Sequence, residues 1–191
     1  LIVEHSAGTS AIGSQDCRLR QPRPVRVQRK PREDVIRFFE EIDIGDEAVL
    51  GNYTFDARNV GLFRALTGAK PERTGGMAGV GPQTVPNWHL PAAWMECMIR
   101  YYEDESDRFA ARGQAIPRLG PAAGVKHLRW TRPVRIGETL LFRGWAERKM
   151  EISSQKDWGL LVVGAEGVDS CGNVAVSFCS QMLIERARVA A

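Results

Sequence analysis

Apolar and polar positions divide the chain at about residue 38. Residues 1–37 show no sustained period, and their second half, CRLRQPRPVRVQRKPRED, is rich in Arg and Pro. Three prolines in that stretch exclude a regular helix and predict an extended or disordered arm. From Phe38 the pattern is that of a folded domain. Ala48–Phe55 reads as a strand. Asp56 is a good N-cap for a short helix over Ala57–Thr67, with Val60, Phe63 and Leu66 on one face and Gly68 at the position where a glycine ends a helix. A glycine-rich loop, Thr67–Asn87, leads into a second helix at about Trp88–Ser106. There Trp88, Ala92, Met95, Ile99 and Tyr102 recur at spacings of three and four, and Ala93, Trp94, Cys97, Met98 and Tyr101 make the rest nearly as apolar. Only Glu96, Arg100 and Glu103 form a polar stripe, so this helix must be wrapped by other elements.

After a connection at about Asp107–Ala123, the period changes to two. LRWTRPVRIGETL, Leu128–Leu140, reads as a strand, a turn at Pro133–Gly137 and the start of another strand. In Leu140–Ile152 the even positions Leu140, Phe142, Ala146, Met150 and Ile152 are apolar. In Val174–Ile184 they are Val174, Val176, Phe178, Met182 and Ile184. Leu160–Val168 is more uniformly apolar, as a central strand is. A long apolar helix followed by an antiparallel meander predicts an α+β domain, a sheet curled around one helix. The expected divisions are a basic arm at 1–37, one domain at 38–186 and a short tail at 187–191. No internal repeat is visible.

Charge changes this picture in one respect. The net charge of +3 is unevenly placed: residues 1–37 hold eight basic and four acidic residues, leaving 18 and 19 for the rest. The folded part is therefore near neutral, and a nucleic-acid-binding core is not indicated. No apolar run approaches the roughly 20 residues that a membrane span needs. The first seventeen residues contain no Lys or Arg, against a transit peptide. Cys17, Cys97, Cys171 and Cys179 form no CxxC pair and read as thiols in a reducing cytosol, so the expected location is cytoplasmic. Three scattered histidines argue against a metal, and no cofactor is implied.

FEEIDIGDE at the start of the domain, Asn87–Trp88–His89 at the entry of the long helix, LRWTRPVRIGETL, and GLLVVGAEGVDSCGNVAVSF near the end together resemble the MaoC-like dehydratases and (R)-specific enoyl-CoA hydratases over about Phe38–Arg186. The resemblance implies a single hotdog domain and a homodimer through joined sheets. It also implies an acyl-CoA-type thioester in a tunnel beside the long helix. In that family an Asp and a His five residues apart activate water for addition across an enoyl thioester, while amides at the helix N-terminus hold the thioester oxygen. The corresponding loop here, TGAKPERTGGMAGVGPQTVPN, has neither Asp nor His, and its only carboxylate is Glu72.

Three readings follow. Glu72 and His89 form a replacement dyad; or His89 packs the helix start, and the domain binds a thioester without hydrating it or hydrolyses it as other hotdog proteins do; or the chain is an assembly subunit that completes a partner's site. Asn87, Trp88 and His89 are the expected substrate-binding residues. Gly75–Pro82 reads as a flexible lid, since it lacks the Lys-Ser/Thr ending of a phosphate loop. His127 reads as a half-buried strand residue. Arg129, Arg132 and Arg135 read as a solvated face or dimer rim. Trp94, Trp130, Trp145 and Trp158 read as core and interface aromatics.

Overall fold

A computed structural model of the chain describes residues 37–70 and 82–187. The basic arm up to residue 36, the loop segment that holds Glu72 and most of Gly75–Pro82, and the last four residues lie outside the described residues. After a 3-10 turn at Phe39–Glu41 come β1 (Glu47–Thr54), α1 (Ala57–Thr67), α2 (His89–Ala111), β2 (Leu119–Trp130), β3 (Thr139–Glu151), β4 (Trp158–Val168) and β5 (Val174–Glu185). The strands form one antiparallel sheet in the order β1-β3-β4-β5-β2, so β1 and β2 are its edges.

Local chemistry sets the first helix. Asp56 accepts a hydrogen bond from the Asn59 amide at 2.8 Å, and Gly68 closes the helix in the left-handed region at φ 68°. Val60 on its inner face is fully buried. Leu66, expected on that face, lies in the last turn and is 86% exposed.

The core forms where α2 meets the sheet. Leu90, Ala93, Trp94 and Cys97 are buried together with Phe142 of β3, Ala165 of β4, Ala175, Val176 and Phe178 of β5. Trp94 stands edge-on to Phe178 with ring centroids 5.0 Å apart, a favoured aromatic geometry. Phe142 lies over Gly167 of the neighbouring strand, where a Cβ would come within 2.6 Å of its ring. A second, smaller cluster joins Phe39 and Ile42 to Ala146, Leu161 and Ile184 at the other end of the sheet.

Several expectations are corrected in detail. The helix runs five residues past Ser106, because Phe109 is buried and holds its last turns to the domain. β2 begins at Leu119, before the alternation becomes visible: its Gly120–Gly124 stretch pairs with β5 through Leu119–Ile184 and Ala122–Met182, around bulges. His127 sits in one such irregular segment with φ 56° and is exposed, not half-buried. The sheet wraps only one face of α2, and Trp88, Ala92 and Ile99 remain exposed on the other. Cys97 and Cys179 are free thiols, whereas Cys171, on the exposed β4–β5 turn, is disulfide-bonded, so thiols throughout is not what is found. No described helix is long and apolar enough to cross a membrane.

The period-two pattern of β3 also breaks once. Leu140, Phe142 and Ala146 are buried as expected, but the register shifts between Ala146 and Arg148, and Met150 is 41% exposed. A bulge inserts one residue and reverses which face the later side chains occupy. Phe142→Ala should therefore cost about 3–5 kcal/mol in denaturant unfolding, while Met150→Ala should cost under about 1 kcal/mol. Equal losses at the two positions would contradict this phase change.

Candidate functional site

The entry of α2 is built from a turn, a proline and one indole. Residues 86–89 close a β-turn in which the His89 amide donates to the Pro86 carbonyl at 2.8 Å. The Leu90 amide donates to the Asn87 carbonyl at 3.2 Å, Pro91 has no amide hydrogen, and the Ala92 amide donates to the Trp88 carbonyl at 3.4 Å. The usual orphan donors of a first helical turn are thus engaged or absent. Among the described residues, the amides left without an acceptor at this end are those of Asn87 and Trp88, one step upstream of where a helix normally offers them. They still lie at the positive end of the helix dipole.

His89 points into an aromatic box. Its ring stacks on Phe63 of α1 at 4.4 Å with planes 6° apart, and meets Phe55 and Tyr53 edge-on at 5.1 and 5.8 Å. Nε2 lies 3.2 Å from the Tyr53 hydroxyl, Nδ1 is buried without a partner, and the residue is 4% exposed. Burial holds the imidazole below its ordinary pKa, with the Asp56 carboxylate opposing, so it is neutral near pH 7. Burial, with Glu96 and Asp56 adding to it, raises the Tyr53 phenol. The box explains the local sequence. Tyr53 lies near the end of β1 and the buried Phe55 just after it, and Phe63 lies three residues after the fully buried Val60 of α1.

The strand–turn–strand motif reaches this entry from the other side. The Trp130 indole N–H donates to the Asn87 carbonyl at 2.9 Å, and its ring lies 5.5 Å from Trp88 in a T-shaped contact. The Val85 amide donates to Val134, and the Ile136 amide to Gln83, both at 2.8 Å. Arg64 of α1 holds the same segment by donating to the Pro82 and Thr84 carbonyls at 3.1 and 2.8 Å. Arg132, read from sequence as part of a solvated face, is spent inside the turn on Glu138 at 2.8 Å and Asp169 at 3.1 Å.

The structure therefore brings Asn87, Trp88 and His89 to one place, with the His89 ring turned into the box and Trp88 65% exposed. Glu72 lies outside the described residues. Tyr53, Phe63, Arg64 and Trp130 were not read as site residues from sequence. Their only signal there was aromatic or basic character on predicted elements far apart in the chain. A groove of about 520 Å³ opens elsewhere, near the C-terminal end of α2, lined by Arg37, Phe38, Glu41, Phe109, Gln114 and Pro117 among others.

The box makes a pH prediction. The unfolded chain takes up the His89 proton more readily than the folded one, so stability is full above about pH 6.5 and falls as pH drops toward the lower folded value. Thermal melts at about pH 7.5 and about pH 5 should differ, with His89→Gln removing part of the difference. An unchanged pH slope in the variant would show that His89 does not titrate this way.

No family model matches the chain, and neither does any curated protein. Solved structures do. A MaoC-like dehydratase from Rhodospirillum rubrum is 16% identical, over 80% of this chain and 99% of that one, with a TM-score of 0.61. The (R)-hydratase PhaJ1 from Pseudomonas aeruginosa is 15% identical, over 80% and 91%, with a TM-score of 0.50. A Mycobacterium tuberculosis protein with a double hotdog fold is 14% identical, over 81% of this chain but 46% of that one, with a TM-score of 0.53. At such identities the likeness speaks for the fold: the chain is a single hotdog domain, like those of MaoC-like dehydratases and (R)-hydratases.

Proposed function

We propose that the protein is a MaoC-like, dehydratase-type protein that takes acyl-CoA-type thioesters, with the thioester carbonyl against the Asn87 and Trp88 amides. The observation that carries this reading is the pair of amides that, among the described residues, have no acceptor at the entry of the central helix. N–H groups without acceptors at a helix N-terminus favour an oxygen on which negative charge develops, as a thioester carbonyl does when its α-carbon gains or loses a proton. The buried, neutral imidazole of His89 next to them adds a polar group at the same end.

Hydration needs more than carbonyl polarisation. It needs a base for the water and an acid for the α-carbon. Residues 67–87 supply no Asp or His, which leaves Glu72 and His89 as the candidate acid–base pair. Saturable binding of acyl-CoA esters is expected. Hydration of trans-2-enoyl-CoA esters should be slower than with a positioned Asp/His pair, by on the order of 10²- to 10⁴-fold. A calorimetric titration and a spectrophotometric panel over chain length test both. If no ester of any chain length binds, the reading fails. Turnover that is rapid and collapses in Glu72→Ala and His89→Ala would instead establish the replacement dyad.

One observation favours a second reading. Nε2 of His89 is within hydrogen-bond distance of Tyr53 and its ring is enclosed, which suits a packing residue better than a proton shuttle. On this reading the chain is a thioester-binding or assembly subunit that pairs with a dyad-bearing hotdog protein. Co-purification as a heteromer supports it, and a stable, active homodimer through the open β1 or β2 edges removes it.

A further inference from the structure

We propose that Trp130 is a positioning residue for the thioester carbonyl, acting through the peptide plane between Asn87 and Trp88; this rests on the reading of the preceding section. The Asn87 carbonyl accepts from two donors, the Trp130 indole N–H at 2.9 Å and the Leu90 amide at 3.2 Å. In a trans peptide the carbonyl oxygen and the next amide hydrogen lie in one plane on opposite sides. Fixing the Asn87 carbonyl therefore fixes the direction of the Trp88 N–H, one of the two amides that have no acceptor among the described residues.

The plane in question is the central peptide of the Pro86–His89 turn. Trp88 has φ −68° and ψ −15°, as in a type I turn. Flipping this peptide to the type II form needs a positive φ at Trp88, which a bulky side chain resists. Turn sterics thus select the coarse orientation, and the Trp130 bond sets the tilt within it. Trp130 is itself well held. It pairs with Val176 in the β2–β5 ladder, the next amide, of Thr131, donates to Ala175 at 2.9 Å, and its ring meets Trp88 edge-on. A second buried polar group marks the same helix entry: Nδ1 of His89, in a residue 4% exposed, has no partner.

The test is Trp130→Phe in the full chain, which removes the N–H and keeps a ring beside Trp88. The probe is a saturated acyl-CoA carrying ¹³C at the thioester carbonyl, followed by difference infrared spectroscopy with affinity measured alongside. In the wild type the bound carbonyl band should move to lower frequency. In Trp130→Phe that shift should shrink and affinity should fall by about two- to ten-fold, the worth of one hydrogen bond. A loss of stability alone would move the melting point but not the carbonyl band of the bound ester. An undiminished shift in Trp130→Phe overturns the proposal and leaves the thioester reading intact. A wild-type protein that binds no acyl-CoA overturns the reading and the proposal with it. Should Trp130→Phe not fold, the indole ¹⁵N–¹H signal of Trp130 in the wild type decides. It should move on adding acyl-CoA, and a stationary signal with ligand bound overturns the proposal.

Discussion

The burial of one face of α2 is the constraint from which the rest of the structure follows. Leu90, Ala93, Trp94 and Cys97 occupy the interior of the sheet, against Phe142, Val176 and Phe178. With several of these side chains 2% exposed or less, their removal from water is the largest local stabilising contribution, at roughly 1.5–3 kcal/mol for each large apolar side chain. It also fixes the helix about its own axis. Once Trp94 is set against Phe178, the first turn must emerge beside β1 and β2. That is why His89 meets Tyr53 and Phe55 on one side and Trp88 meets Trp130 on the other.

The same rotation separates the two apolar stripes that the sequence shows on this helix. Period alone cannot rank them, because both repeat at three and four. The stripe at Trp88, Ala92, Met95, Ile99 and Tyr102 is the more regular, yet it is the neighbouring one that enters the core. The difference lies in what the sheet offers, and the sheet is assembled from β1, which precedes the helix, and from four strands that follow it.

Elements with strong local signals were therefore legible, and those defined by pairing were not. Asp56, Gly68 and the alternation from Leu140 name their elements from chemistry within a few residues. The start of β2 is Gly, Pro and Ala, and only its partner β5 makes it a strand. The site divides in the same way. Asn87, Trp88 and His89 were visible as a helix entry. The amides' availability was not, since it follows from Pro91 and from the carbonyls of Pro86 and Asn87 taking the next donors. LRWTRPVRIGETL was legible as scaffold; its contacts with residues 83–88 join segments more than forty positions apart and leave no mark in either segment alone.

That separation has a consequence for the order of assembly. The helix can coil from its own residues, but the geometry of its first turn is completed by a residue that follows it. The helix and the connection after it, with most of β2, must all be in place before the indole of Trp130 can reach the Asn87 carbonyl. Closing a loop of that length costs entropy that local contacts do not repay, so such contacts form late. The part of the molecule best suited to meet a ligand is thus among the last to take shape, and changes in length between α2 and β2 bear on it even though they lie far from it in the chain.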